Sequence, residues 1–471
     1  MAAACGARSA AAQTEPPTTV APPAPTPVAA PPATAPAATA APATPTAAPA
    51  AAAAAAPPAA APAAAPAPAD DHWYDSVKFG AFVDGYLNVN YNFPKPQSGT
   101  NLYRAPDANN GFALTWVGLD VTHEAKPIGG TISLRFGPAA SQFAGNDTQY
   151  GLQYVRQAFA TWKPTEKIAL DFGKWDAISG AEVADSQNNM NYTRGALYWL
   201  AQPLFHTGLR ATYQPSDAIA FRLMAVNGWN DTIDNNLGKT FGAQIALTPV
   251  KQFSASVTYI TGPERSDTLQ VNCPFGQSYN QSAYACVQTV PGQAVFGTYE
   301  DTKADSQWRQ FGDLVVNYNP TDALSFALNG DVGYDTAFVN GPQNGPQNGQ
   351  QRAVYWYGGM VAGRYAFNDT WAIALRGELF RDPQGFMTGA VDTSGNPLEV
   401  TLRTGTLTLE AKPSQYLIIR LENRIDSADQ NIFTKNVNDT NNIQATTLLG
   451  VVVTTGHTFN APTPSAPQAS R

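Results

Sequence analysis

The sequence predicts an all-β fold, an antiparallel transmembrane β-barrel of about 16 strands preceded by a disordered Ala/Pro-rich N-terminal segment. Three observations carry that reading. Charged residues make up 14% of the chain and aromatics 11%, whereas an ordinary soluble domain is about 25% charged. From Asp71 onward, segments of about 9 to 15 residues alternate apolar and polar with period two. The connections between those segments alternate long and short.

The N-terminal stretch, residues 1–12, ends in an Ala10-x-Ala12 site that predicts cleavage before Gln13, as in a secretion signal. The basic start and most of the apolar core of such a signal do not precede it, so the true start is expected upstream. Cys5 after three alanines offers a second, lipoprotein reading, without the usual Leu three places before it. Residues 13–70 are almost only Ala, Pro and Thr, and 17 of the 38 prolines fall before residue 70. Such a segment cannot bury a core, and dense proline favours an extended chain rising about 3.1 Å per residue. It is expected to be a spacer, or a tether reaching toward the cell wall.

Residues 71–459 are the expected barrel. No run of apolar residues is long enough for a spanning helix. In lipid every backbone polar group must be paired, which leaves a closed barrel. In Val77 to Tyr91, Phe79, Ala81, Val83, Leu87 and Val89 share one face, opposite Lys78, Asp84, Tyr86, Asn88 and Asn90. Short turns are expected at Lys163–Thr165, Gln214–Asp217, Thr248–Val250, Asn319–Asp322, Asn368–Asp369 and Lys412–Ser414, and a slightly longer one at His123–Gly130. Long connections fall near 92–111, 139–150, 176–206, 230–237, 262–306, 335–352, 382–398 and 427–442. Short turns face the periplasm in outer-membrane barrels and long loops face outward, so both termini are expected in the periplasm. Trp162, Tyr213, Phe253, Tyr318, Phe367, Trp371 and Tyr416 lie beside the short turns, where an interfacial girdle belongs. A soluble propeller would show a repeat of about 40 to 50 residues, and none is present. The last strand is expected to end at Phe459, before a polar tail over 460–471.

Several stretches resemble the OmpL-like family of outer-membrane β-barrel porins. They are FGAFVDGYLNVNYN at Phe79–Asn92, RQAFATWKP at Arg156–Pro164 and LDFGKWDAISGAEVADSQNNMNYTRG at Leu170–Gly195, followed by AQPLFHTGLRATYQP at Ala201–Pro215 and NGWNDTIDNNLGKTFGAQIALTP at Asn227–Pro249. The likeness is dense from about 79 to 262 and mostly architectural beyond. It implies a barrel in the outer membrane of a Gram-negative bacterium, with porin activity. It supplies no substrate and no functional residues, and the polar tail after Phe459 departs from the usual aromatic end.

The candidate functional residues come from strand parity. Asp84, Arg135, Arg156, Asp171, Arg210, Arg222, Arg376, Glu378, Arg420, Glu422 and Arg424 fall opposite the apolar face. A cation on lipid at the bilayer midplane costs about 2–4 kcal/mol, so these side chains are expected to face the lumen. There they either set an ion preference or brace the interior by pairing. Asp176 to His206 is the expected constriction loop, with Glu182, Asp185 and Arg194 as its candidate charges, alongside Asn188 and Asn189. Cys273 and Cys286, in a polar loop of an oxidising compartment, are expected to form a disulfide.

No catalytic residue, metal site or cofactor is expected. His72, His123, His206 and His457 are scattered without ligand spacing, and His206 reads as structural where the third long loop re-enters the barrel. Asp231–Asn236 and Asn438–Asn442 read as hydrated loops rather than Ca²⁺ sites. The net charge of −8 excludes a basic nucleic-acid face. The expected function is passive diffusion of ions and small hydrophilic solutes. The competing one is a non-conducting barrel acting as adhesin, receptor or cell-wall anchor. Expected partners are outer-membrane lipid, the barrel-assembly machinery, the solutes, and the cell wall through the Ala/Pro segment; a homotrimer is compatible with the sequence.

Overall fold

The computed structural model describes residues 77–95, 110–273, 277–280, 285–288, 295–300, 304–339, 350–393, 396–437 and 439–455. Side chains within 268–300, 337–339 and 350–352 lie outside the described residues. The strands in chain order begin with β1 (Val77–Asn90), β2 (Gly111–His123), β3 (Ile128–Phe136), β4 (Val155–Thr165), β5 (Ile168–Asp176), β6 (Phe205–Ser216) and β7 (Ile219–Val226). They continue with β8 (Thr240–Val250), β9 (Phe253–Pro263), β10 (Thr268–Cys273), β11 (Gln277–Asn280), β12 (Ala285–Gln288), β13 (Val295–Glu300) and β14 (Trp308–Tyr318). The remainder are β15 (Leu324–Val339), β16 (Gln350–Ala366), β17 (Trp371–Asp382), β18 (Val400–Ser414), β19 (Leu417–Ala428), β20 (Phe433–Lys435), β21 (Asp439–Asn441) and β22 (Ile443–Thr454).

Sixteen of these strands close an antiparallel barrel, each next to its sequence neighbour in the wall. Closure is made by β1 against β22, in register from Phe82 opposite Thr454 to Asn90 opposite Thr446. Every wall strand therefore has two partners and no edge is left in the membrane, which is what lipid requires of backbone N–H and C=O groups. The short connections collect at one rim. Val77 at the start of β1 pairs with His123, and Thr454 at the end of β22 lies near the same rim.

Alternation along each strand sorts the two faces as expected. On β17, Leu375 and Leu379 are exposed while Ala374, Arg376, Glu378 and Phe380, at the opposite parity, are buried. The exposed apolar residues form the lipid face, because leaving them in water would forfeit about 1.5–3 kcal/mol for each large side chain. Trp162, Tyr213, Tyr318, Phe367, Trp371 and Tyr416 are all exposed beside the short turns, and Phe253 partly so. Phe112, Phe241, Trp308 and Tyr355 are exposed toward the opposite rim.

Three features depart from the loop pattern. The 262–306 connection carries two small sheets, β10 with β13 and β11 with β12, and 427–442 carries the β20–β21 hairpin. The 139–150 connection holds one short helix, α1 (Pro138–Gln142), and a 3-10 turn over Gly145–Tyr150. Cys273 ends β10 opposite Val295, and Cys286 sits on β12 opposite Tyr279; their side chains, and with them the expected disulfide, lie outside the described residues. Phe459 does as well, and β22 ends at Thr454.

Candidate functional site

The interior of the barrel is the candidate site. Asp84, Arg135, Arg156, Asp171, Arg222, Arg376, Glu378, Arg420, Glu422 and Arg424 are buried on the inner side of the wall, and Arg210 is largely so. Most are held in pairs. Arg156 meets Asp176 at 2.7 Å, Arg210 meets Asp171 at 2.9 Å and Arg424 meets Asp426 at 2.8 Å. Arg135 bridges Asp120 at 3.0 Å and Asp185 at 2.8 Å, while Arg222 donates to the side-chain carbonyl of Gln244.

The segment between β5 and β6 folds into this charged interior. It leaves the wall after Asp176 and bends at Gly180, whose φ of +87° favours glycine. Its backbone N–H groups are then taken up by wall side chains. Gly180 N donates to Asp313 on β14 at 3.2 Å and Ala181 N to Asn329 on β15 at 3.2 Å. Glu182 pairs with Arg376 on β17 at 2.5 Å. Tyr192 N and Thr193 N both donate to the Glu422 carboxylate on β19, at 2.6 and 3.1 Å. Arg420 donates to the carbonyls of Ser186, Asn189 and Asn191 at 2.6, 2.8 and 3.1 Å. Irregular backbone at membrane depth is tolerated when it is satisfied inside the protein in this way.

The segment reaches the far wall as well. Ser186 and Tyr192 donate their hydroxyls to Asp84 on β1, at 2.5 and 2.6 Å. The Tyr192 ring lies directly over Gly450 of β22, where a Cβ would sit 2.3 Å from a ring carbon. Arg194 is buried and donates to the Tyr192 carbonyl at 2.8 Å, with its guanidinium 5.6 Å from the Phe143 ring centroid. Asn189 is turned into the segment, donating to the carbonyls of Val183 and Asp185, whereas Asn188 and Val183 are exposed. Burial alone would raise the Asp185 carboxyl, but the adjoining Arg135 guanidinium outweighs it and holds the group below its ordinary value. Burial of Glu182 prevails over Arg376, and its carboxyl is raised.

The interior also holds apolar side chains that the polar-inward expectation missed. Leu197, Leu200 and Ala201 of the segment pack among Trp229, Phe311, Trp356, Met360 and Phe380. The Trp356 indole N–H donates to the Ala201 carbonyl at 2.8 Å. Strand parity was the available signal, since Trp356 and Phe380 share the inner parity of Arg364 and Arg376 respectively. Glu410, Arg364 and Lys412 were also unremarked. Arg364 and Arg420 converge on Glu410 at 2.6 and 2.7 Å, and Lys412 lies 3.9 Å from it. Lumenal charges standing free in water were one expectation; instead Asp84, Arg376, Arg420, Glu422 and Arg424 are engaged by the infolded segment.

His206 is the second residue of the return strand β6, buried, with Nδ1 3.1 Å from the Gly228 carbonyl. Asp231 accepts from Asn146 of the 139–150 connection at 2.6 Å and from Asn235 of its own loop at 3.3 Å. Among the described residues no group of three or more His, Cys, Asp and Glu side chains is placed to hold a metal ion.

The family model described as "Putative beta-barrel porin-2, OmpL-like" matches residues 76–454. No curated protein matches by sequence. Among solved structures, OprB of Pseudomonas putida at high pH is 11% identical with a TM-score of 0.50, covering 81% of this chain and 94% of that one. The outer-membrane channel DcaP of Acinetobacter baumannii is 13% identical with a TM-score of 0.47, covering 80% and 96%. In-vitro folded OmpT, an outer-membrane protein of Vibrio cholerae, is 12% identical with a TM-score of 0.47, covering 80% and 97%. At these identities the likeness bears on the fold alone.

Proposed function

This chain belongs to the OmpL-like β-barrel porin family, and from that premise we propose that it is a passive outer-membrane channel for ions and small hydrophilic solutes. One observation carries the reading: the closed sixteen-strand wall turns Asp84, Arg156, Arg376, Glu378, Arg420 and Glu422 inward and Val361, Leu375, Leu379 and Leu421 outward. A wall of about that many strands is wide enough for an aqueous channel, and inward charges serve a water-filled bore. The infolded segment narrows the bore rather than forming part of the wall. With the short turns on the periplasmic side, the start of β1 and the end of β22 both belong to the periplasmic rim. Insertion through the barrel-assembly machinery and association as homotrimers belong to the same reading.

A second reading has its own support. The infolded segment bonds to β1, β3, β14, β15, β17, β18 and β19, a span that suits a barrel closed at rest and serving as anchor, receptor or adhesin. Single-channel recording of purified, refolded protein in planar bilayers separates the two. Steady ohmic conductance supports the channel; a well-folded protein that stays silent, even with the segment excised, leaves the anchor reading.

A further inference from the structure

We infer that the outer face of β17 and β18 holds a membrane lipid, its phosphate on Arg403 and Arg381 and an acyl chain laid over Gly377 and Gly405. The site needs the wall to stand in lipid and does not need the bore to conduct. Among the described residues Arg403 stands without an ion-pair or hydrogen-bond partner for its side chain. Strand parity turns it outward: Arg403, Gly405, Leu407 and Leu409 are exposed along β18, while Thr404, Thr406 and Thr408 between them are buried. An arginine on the lipid face is costly at the bilayer midplane and nearly free at the interface. Register gives its depth. Arg403 is eight positions along β18 from Ala411, which stands opposite Trp371 of the short-turn girdle. That length of tilted strand climbs about 20 Å, against an apolar band about 25 Å tall. Tyr357, exposed on β16, lies as far along its own strand from Tyr365 and marks the same interface. A side chain as long as arginine carries its charge from there to headgroup level.

Arg381 is its diagonal neighbour. Leu379 stands opposite Arg403, and Arg381 lies two residues further along β17 on the same face, opposite Tyr357. Arg381 pairs with Glu399 at 2.5 Å, but both are half-exposed, and such a pair leaves the guanidinium accessible. Arg403 is therefore the anchor and Arg381 the second donor. Diagonal positions on one sheet face are about 7–8 Å apart, so a phosphate lying between the two side chains can accept from both. The guanidinium fork suits that acceptor, because its N–H groups match phosphate oxygens in pairs.

Toward the membrane interior the outer face then loses its side chains. Gly405 is the next outward residue after Arg403 and Gly377 the next after Leu379, and the two glycines stand opposite one another. A Cβ at either would meet no atom within 4 Å, so the strip is open. Leu375, Leu407 and Ile425 border it with exposed apolar side chains. A side-chain-free strip that leads from a cation into the hydrocarbon fits an acyl chain joined to a phosphate. The chain gains close contacts along the strip that bulky neighbours would deny it. A free phosphate accounts for the arginines and leaves the strip without a use.

The test is native mass spectrometry of the full-length protein in detergent, titrated with phosphatidylglycerol. The wild type should retain a single lipid per chain, and diacylglycerol, which lacks the phosphate, should bind at least about fivefold more weakly. Arg403→Gln and Gly405→Leu should each weaken phosphatidylglycerol retention by at least about fivefold. Both positions face away from the packed bore, so either variant keeps the test usable should the other fail to fold. Unchanged retention in either folded variant overturns the inference; if the oligomeric state shifts instead, the face is a contact between copies of the chain. Displacement of the lipid by an equal concentration of inorganic phosphate also overturns it, and would make the arginines a site for free anions. Conductance enters none of these outcomes, so the channel reading stands or falls separately.

Discussion

The Tyr192 hydroxyl donates to Asp84 Oδ1 at 2.6 Å, joining the infolded segment to the first strand of the wall. Asp84 also accepts from Ser186 at 2.5 Å and is buried, so one carboxylate holds two points of the segment. A buried carboxylate without its donors would cost more than an ordinary lost hydrogen bond. Tyr192→Phe removes one donor and keeps the ring on Gly450, so it should loosen the segment by about 1 kcal/mol. Asp84→Ala strands the Ser186 hydroxyl and leaves Tyr192 with Thr115 alone, 3.0 Å away, and should cost about 1–3 kcal/mol for the buried group left unsatisfied. Open-channel current noise should rise in that order. Equal noise in wild type and Asp84→Ala would show that the wall contact does not hold the segment.

Two carboxylates of the segment make its attachment depend on pH in opposite directions. Asp185 is depressed below its ordinary 3.8, so its contribution is present above that pH and is lost as pH falls through the lowered value. Glu182 is raised above its ordinary 4.5, so its contribution is present below that pH and is lost as pH rises through the raised value. The midpoint of urea unfolding should therefore fall on the acid side through Asp185 and on the alkaline side through Glu182. Asp185→Asn should flatten the acid limb and Glu182→Gln the alkaline one. A profile that both variants leave unaltered would disconnect these groups from the segment's stability.

The lipid face gives a depth-dependent prediction. Leu375, exposed near the middle of β17, and Trp371, exposed at the short-turn end of the same strand, share the outer face at different depths. Leu375→Arg should destabilise the barrel by about 2–4 kcal/mol and Trp371→Arg by about 0–1 kcal/mol plus the loss of its girdle contact. Unfolding in lipid vesicles measures both. Equal costs would mean that Leu375 is not at the membrane midplane.

Much of the wall was legible because period-two alternation and turn residues are local signals. Gln214, Pro215 and Asp217 mark a turn whatever lies around them, and Leu375, Arg376 and Leu379 sort themselves by parity. The contents of the bore are set by long-range meetings that no local pattern encodes. Nothing in the neighbourhood of Arg420 shows that it will bind the carbonyls of Ser186, Asn189 and Asn191, more than two hundred residues earlier in the chain. Trp356 and Phe380 follow the inward parity yet are apolar, because the infolded segment supplies them with a partner surface. A rule that barrel interiors are polar holds for a bore filled with water and gives way where a packed segment replaces it.

Excision of the bend gives the most direct view of what the segment does. Replacing residues 183–192 by a short Gly/Ser link removes Tyr192 and the carbonyls that Arg420 binds, but leaves every wall strand with both of its neighbours. The wall should therefore still fold and resist heat in detergent as the wild type does. Leu197, Leu200 and Ala201 remain to pack on Trp356 and Phe380, so the return to β6 should stay anchored. What changes is the cross-section, and with it the current: conductance should rise several-fold and its noise fall, because the moving part has gone. The excision also takes both hydroxyl donors from Asp84, which should make current more sensitive to ionic strength as the exposed charge is screened. An unchanged conductance in a correctly folded variant would mean that the bend does not bound the passage, and that the narrow point lies elsewhere in the barrel.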